Sequence, residues 1–454
     1  MEPEPLTSGV LPSLAGVVGA DHVLAPPPAA YLSDETGRGL RGTARAVVLP
    51  GSAAQAADVV AICYRHGIPI TPRGGGTGVS GGAVPDGGIV ISLERLDRVR
   101  SFDPLLWRIE VEAGVTTARL HALALESGLA FPPDPGASEQ SQIGGNIATN
   151  AGGPHAFRYG VTRRWVTGLE VVLAPGRLVR LGGPTRKDVA GYDLIGLLTG
   201  SEGTLGLVTA AWLRLVPAPE ARHVVVGVYE RDRAACDAIE RILGSGIEAA
   251  AIELLDATAA RLGGAGFPGT VPEGALLLAE ADGSHAEAAA RRDALVEAMA
   301  GGGGSAFMLP DAGAAWRWRD GLSSRLAAVE GGKLSEDVAV PLDRLGDLVE
   351  SVPQVGRSHG LVGLSFGHAG DGNMHSSFLA DPADRARFAA AEAAREELLS
   401  LAIELGGTIS AEHGLGSVKA GRLADQWPAE AVAAHRAVKA ALDPENLFNP
   451  GKKV

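Results

Sequence analysis

The sequence predicts an α+β protein made of two unlike stretches, and three observations carry that reading. Before residue 220, short β-branched runs alternate with glycine-rich loops. After residue 222, strands alternate with long alanine-rich helices, the pattern of an antiparallel sheet covered by helices. Over 454 residues, a hydrophobic content of 46% and a charged content of 20% supply apolar side chains for more than one core.

The totals exclude several classes. A formal net charge of -13 argues against nucleic acid or an anionic membrane surface as the main partner. Cys63 and Cys236 lie far apart in no pairing pattern. That excludes a disulfide frame or a cysteine metal site and suits a reducing cytoplasm. Met1-Glu-Pro-Glu-Pro does not read as a signal peptide, and no apolar run approaches the roughly 20 residues of a membrane span.

Residues 1–40 read as an N-terminal arm with short helical pieces and a proline run at Pro26. Ala44–Leu49 reads as a strand, and Ser52 caps a helix to about His66, stopped by Gly67. Ile68–Thr71 and Gly87–Leu93 read as strands. Between them, six of the twelve residues from Thr71 to Gly82 are glycine. Successive N–H groups with no side chain in front of them make a concave anion site, suited to a phosphate or pyrophosphate. Gly76-Thr-Gly78-Val-Ser-Gly81 matches G-x-G-x-x-G in form. A dinucleotide turn also needs a helix opening at the third glycine, and Gly82, Pro85 and Gly87 forbid one.

Trp107–Glu112 alternates like a half-buried strand, and Thr116 or Thr117 starts a helix that ends near Gly128. Phe131–Gly136 can only extend or turn. Ile143–Gly153 is a second glycine-rich stretch, uncharged, with two asparagine amides, and reads as a loop that could approach a flat polar ligand. Leu169–Leu173 and Leu178–Leu181 form a hairpin about Pro175-Gly176. Gly200–Gly206 precedes a strand from Leu207 to Leu215, and the proline-rich run from Val216 marks a boundary.

Beyond it, strands are expected at Val224–Val228, Ala275–Leu278 and 337–340. Helices are expected from Arg231, from His285, over 312–328 and over 342–352, with Gly301–Gly304 a flexible connector. The domains are therefore 1–40, 41–219, 220–410 and a C-terminal segment, 411–454, that packs back on the body.

Asp371-Gly372 is a two-residue hairpin signal. With that turn His368 faces His375 directly across two strands, Cβ atoms about 5 Å apart. Two imidazoles so placed can share one divalent ion, and with a carboxylate they suit zinc, manganese or iron. Glu412, between glycines in Gly406–Gly416, could complete such a site, with His413 beside it as a base.

Taken together, the stretches PRGGGTGVSGG, PPDPGAS, IGGNIATNAGG, GSEGTLG, FGHAGDGNMH, AEHGLG and NPGK resemble the vanillyl-alcohol oxidase / p-cresol methylhydroxylase superfamily of FAD proteins. Within it they look like the branch of D-lactate and D-2-hydroxyglutarate dehydrogenases and the glycolate oxidase FAD subunit. The resemblance runs from about residue 30 to the last residue. It implies a two-part FAD-binding domain of the PCMH type, then an α+β cap domain with an antiparallel sheet, then a C-terminal helical segment returning to the flavin.

It also implies FAD contacts at Pro72, Arg73, Gly74, Gly75, Gly76, Thr77, Gly78, Ser80 and Gly81. Further ones fall at Asp134, Ser138, Gly144, Gly145, Asn146, Thr149, Asn150, Glu202, Val208 and Asn449. Thr77 stands where relatives with covalent flavin carry histidine, so the FAD is expected to be non-covalent. The implied metal ligands are His368, His375 and Glu412, with zinc first and manganese or iron as alternatives. His413 becomes the base and Arg319 the grip on the substrate carboxylate. Lys333 lies near the family's substrate lysine but is displaced, because that lysine precedes an aspartate by two residues and here Ser335 does so before Asp337.

The implied reaction oxidises a D-2-hydroxy acid to the 2-oxo acid, with metal-assisted deprotonation of the hydroxyl and hydride passing to flavin N5. A quinone, an electron-transfer flavoprotein or an iron–sulfur partner subunit would take the electrons, and a homodimer is allowed. Two rivals are a partner-dependent or non-catalytic FAD subunit of a glycolate oxidase-like complex, and a metal-dependent hydrolase.

Overall fold

The structure, a computed structural model, describes residues 9–454; residues 1–8 of the expected arm, including Met1-Glu-Pro-Glu-Pro, lie outside it. The chain forms two compact units.

The first unit comprises residues up to 152 with 161–217 and 412–454. Its first sheet holds β1 (Val23–Leu24), β2 (Ala46–Val48), β3 (Ile70–Arg73) and β4 (Ile89–Ser92), in the order β1-β2-β4-β3. β4 runs parallel to both β2 and β3. The helix Ala53–Arg65 covers it, and Ser52 caps that helix by accepting from Gln55 N at 3.2 Å. Ala56, Val59, Val60 and Cys63 repeat at i, i+3, i+4 and i+7, and all four are fully buried. Burying each valine contributes about 1.5–3 kcal/mol.

The second sheet is antiparallel: β5 (Val99–Asp103), β6 (Arg108–Glu112), β7 (Val166–Leu173), β8 (Arg177–Gly182) and β9 (Leu207–Arg214), in the order β5-β6-β9-β7-β8. The hairpin about Pro175-Gly176 pairs Leu173 with Arg177. Of the two candidate caps, Thr116 is the one that accepts, from Arg119 N at 3.3 Å, for the helix Thr117–Glu126.

The second unit comprises 153–160 and 218–411. Its seven-stranded sheet is antiparallel throughout. It holds β10 (Ala221–Tyr229), β11 (Ala251–Leu255), β12 (Ala275–Gly283), β13 (Ser305–Met308), β14 (Lys333–Ala339), β15 (Gly363–Gly367) and β16 (Asn373–Leu379). Their order is β13-β10-β12-β11-β15-β16-β14. Val224, Val226, Leu276, Leu278, Leu364 and Phe366 share a face by the period of two. They pack on the helices Ala257–Gly263, Ala312–Asp320 and Leu322–Val329. The helices His285–Ala300, Leu345–Ser358 and Arg385–Glu404 pack against the sheet as well. Ser284 and Glu287 close a capping box at the start of the first of them.

The structure departs from expectation in five places. The helix expected over 312–328 is broken at Gly321 into two. The strand expected at 337–340 begins at Lys333, and the helix expected to end near 352 continues through Pro353 to Ser358. Ile143–Thr149 is a helix rather than a loop. Its glycines serve packing, since a Cβ on Gly144 would meet the Ala113 Cβ at 2.7 Å. Asn150, at φ 55°, ends it.

The fifth difference is the histidine hairpin. β15 ends at Gly367, a 3-10 turn spans Ala369–Asp371, and Gly372 sits at φ 79° before β16. His375 therefore opposes Phe366, not His368. The turn is pulled inward, with Ala369 and Gly370 buried. A Cβ on Gly370 would press on Phe157 at 2.9 Å and Ile252 at 3.1 Å. A two-residue turn projects into solvent and could not fill that space.

Candidate functional site

In the first unit the cofactor candidates converge. The amides of Gly74 through Ser80 find no acceptor among the described residues. Backbone donors are seldom left so, and seven in succession form a site for a diphosphate. At Gly75 a side chain is excluded as well as absent, since a Cβ there would fall 2.0 Å from Gln140 O. Gly76, at φ 74°, and Gly81, at φ 80°, use the conformation glycine favours. The second glycine-rich segment meets the first here, because a Cβ on Gly74 would touch the Gly145 backbone at 3.4 Å.

The Arg73 guanidinium lies against Gly76 and donates to Ser33 O and Ala30 O, both at 2.8 Å. It fixes the arm, whose Asp34 in turn accepts from Gly81 N at 2.8 Å. Asn146 donates to Thr117 Oγ1 at 2.7 Å, Thr149 to Gly145 O at 3.2 Å, and Asn150 accepts from Arg163 N at 2.8 Å. Ser138 O accepts from Ala118 N at 3.0 Å, and Asp134 lies between the helix Thr117–Glu126 and the turn that holds Ser138. Val208, on β9, pairs with Val171.

The C-terminal segment borders the same loop. Ser80 Oγ donates to His413 O at 3.0 Å, and Glu202 accepts from Leu415 N at 3.0 Å and Gly416 N at 2.6 Å. Asn449 Nδ2 donates to Gly82 O and Glu202 O at 2.9 and 2.8 Å. Lys452, which sequence reasoning missed, donates to Gly82 O at 3.0 Å, and burial lowers its pKa to about 8. A loop framed by glycine, open amides and no covalent anchor at Thr77 fits FAD. When bound, the flavin supplies a two-electron acceptor.

In the second unit a polar group interrupts the apolar sheet face. Asp337 and His375 are directly paired across β14 and β16. Asp337 Oδ2 accepts from Ser410 Oγ at 3.1 Å and Ala411 N at 2.8 Å, and the chain then continues into Glu412 and His413. Asp337 and His375 are candidate metal ligands of the second unit, while Glu412 and His413 belong to the 412–454 stretch of the first. Imidazoles and carboxylates of this kind suit zinc, manganese or iron.

The His368 ring stands 5.1 Å from that of His375, edge to face. Its Nδ1 meets Glu253 Oε1 at 2.5 Å, a contact that fixes the ring orientation. Arg319 donates through Nε to Glu253 Oε2 at 2.6 Å and lies over the Phe366 ring at 5.1 Å. Lys333 Nζ stands 5.5 Å from the same ring and has no hydrogen-bond partner among the described residues. Burial, then Arg319, lower its pKa to about 8. Burial drives the Glu253 carboxyl up, but Arg319, His368 and His375 more than reverse this and bring it to about 2.

Sequence reasoning missed Glu253 and gave Asp337 only as a landmark. Glu253 had a signal: it is the one acid in the apolar run Ala249–Leu255. An acid in a strand buried along its whole length needs a partner.

Fold and site together define a flavin-dependent oxidoreductase of the PCMH type. The chain belongs to the family of FAD-linked oxidases: the model "FAD linked oxidases, C-terminal domain" matches residues 218–453 and "FAD binding domain" matches 44–182. It is 37% identical to "Glycolate oxidase subunit GlcD" of Bacillus subtilis (strain 168), over 90% of this chain and 88% of that one. It is 35% identical to "D-lactate dehydrogenase" of Archaeoglobus fulgidus, over 94% and 96%. A crystal structure of p-cresol methylhydroxylase with substrate bound shares the fold, with a TM-score of 0.81 at 19% identity, covering 99% of this chain and 98% of that one. Among the described residues, no helix is long and apolar enough to cross a membrane.

Proposed function

We propose that the chain oxidises a D-2-hydroxy acid of the lactate, glycolate or 2-hydroxyglutarate class to its 2-oxo acid, with non-covalent FAD. One observation carries this reading. Two cations, the buried Arg319 and the half-buried Lys333, lie near the Phe366 ring, and Glu253 is paired with Arg319 alone, so Lys333 has no carboxylate partner among the described residues. A substrate carboxylate supplies the missing negative charge. The names of the relatives support the same substrate class.

Arg319 and Lys333 hold the substrate carboxylate in this reading. His375 and Glu412, with His368 or Asp337, would hold a divalent ion, which would lower the pKa of the 2-hydroxyl. His413 accepts the hydroxyl proton. The two buried free cysteines suit a cytoplasmic setting. A screen of D- and L-2-hydroxy acids with an artificial electron acceptor tests the proposal. Turnover of D acids with bleaching of the flavin absorbance is expected; a colourless protein, or yellow protein inert with every acid, overturns it.

A second reading rests on the word "subunit" in the name of the Bacillus relative. It makes this chain the FAD subunit of a complex whose iron–sulfur partner, or a quinone or electron-transfer flavoprotein, takes the electrons. That reading expects flavin bleaching by substrate in a single turnover but no steady-state oxidation by the chain alone.

A further inference from the structure

On the first unit, away from the glycine loop in sequence, the β5–β6 turn and the end of β9 border an open groove of about 380 Å³. Its ionisable lining is Arg108, Arg186 and Arg214, with no acid among them. Each arginine lies over a tryptophan: Arg214 over Trp165 at 4.7 Å, Arg186 over Trp107 at 5.3 Å and Arg108 over Trp212 at 6.0 Å. A guanidinium stacked by its face keeps its N–H edge for a planar anion.

That edge is largely unused. Arg108 reaches Asp103 at 3.2 Å, while no carboxylate among the described residues pairs with Arg186 or Arg214. The Nε atoms of Arg108 and Arg214 are buried without a hydrogen-bond partner. Burial, then the charges of Arg164 and Arg186, lower the pKa of Arg214, so cations crowd here in a chain of net charge -13.

The rim is apolar and open. Leu105 is 91% exposed and Leu106 52%, while Trp107 holds φ 54°, a costly conformation for a bulky residue. Through the Arg186–Trp107 stack the rim reaches the loop that carries Val189 and Tyr192, both at least 95% exposed. Stacked arginines and an exposed tryptophan are the residue types enriched at the energetic centres of protein interfaces, and the leucines add apolar area around them. We infer that this arginine–tryptophan groove is a docking surface for an acidic, leucine-bearing segment of a partner polypeptide. The charge of the groove argues for the acid, and the leucine rim argues for a polypeptide rather than a bare anion.

The test uses the flavin-loaded full chain and a fluorescent peptide of sequence EELEELEE, with KKLKKLKK as control. Saturable, salt-sensitive binding of the acidic peptide alone is expected. The Arg186→Gln/Arg214→Gln double variant should weaken it about 10-fold or more. Leu105→Ser/Leu106→Ser should also weaken it. Dehydrogenase activity with an artificial acceptor should not change, so failure of this inference and failure of the functional proposal are separately visible. No saturable binding, equal binding by the double variant, or binding of both peptides overturns the inference. So does displacement by inorganic phosphate at the peptide's own concentration, which marks a simple ion site. Binding of phosphatidylglycerol vesicles without binding of the peptide marks a membrane site and overturns it equally.

Discussion

Glu253 shows how much one side chain can decide. It is fully buried, and its two oxygens orient His368 on one side and Arg319 on the other. Glu253→Gln keeps the shape and removes the charge, leaving Arg319 buried with no anion. Breaking a buried pair this way costs about 3–5 kcal/mol of stability. The tautomer of His368 should loosen too, so bound metal should fall together with a rise in KM for the acid, while flavin content stays normal. Metal analysis and flavin absorbance on the same sample check this. Lys333 gives a pH prediction. Its pKa is lowered to about 8, so below pH 8 it is charged and attracts the substrate carboxylate; as pH climbs through about 8 that attraction is lost. KM should rise over that range, and Lys333→Met should have a high KM that no longer responds there. The sequence made Arg319 and Lys333 legible as motif positions. It could not make Glu253 legible as the partner of Arg319, because 66 residues separate the two and only the packing of the helix Ala312–Asp320 on the sheet brings them together.

At the level of elements, the period-two pattern gave the strands, and serine or threonine ahead of an apolar run gave helix starts at Ser52 and Thr116. The histidine turn was misread because local turn preference yielded to packing: Gly370 is drawn against Phe157 and Ile252. Asp256 adds a measurable consequence. It caps the helix Ala257–Gly263 and accepts from Ala259 N at 2.6 Å and Ser365 N at 2.5 Å. Burial, and to a lesser degree Asp232, nonetheless raise its pKa to about 7. The folded protein therefore keeps a proton that the unfolded chain releases from about pH 4 upward. Stability should fall as pH rises from about 4 to 7, by at most about 1.4 kcal/mol per pH unit. Asp256→Asn cannot titrate and should flatten that slope in urea melts at a series of pH values. An unaltered slope would assign the pH dependence elsewhere.

For the whole molecule, the motifs at 73–82, 143–150, 200–206 and 446–452 were separately readable, and the structure brings all four together within one unit. What no local pattern conveyed is how they are tied. Glu202 holds the Leu415 and Gly416 amides, Asn449 and Lys452 hold the glycine-loop carbonyls, and Asn449 N bonds Ile70 O at 2.7 Å beside β3. A chain ended after Ala411 should therefore fail to retain flavin even where its second unit folds. Gel filtration followed by an absorbance spectrum reads this directly; yellow truncated protein would show the tail to be dispensable.

That tie also sets an order on biosynthesis. The first sheet emerges from the ribosome early, but the stretch that secures its glycine loop is among the last to be made. During translation the seven amides of Gly74 through Ser80 stand without their C-terminal brace while the antiparallel sheet of the second unit, contiguous from 218 to 411, can already close. Flavin capture should then be a post-translational event, visible in stalled nascent chains as a late step that follows protease resistance of the second unit.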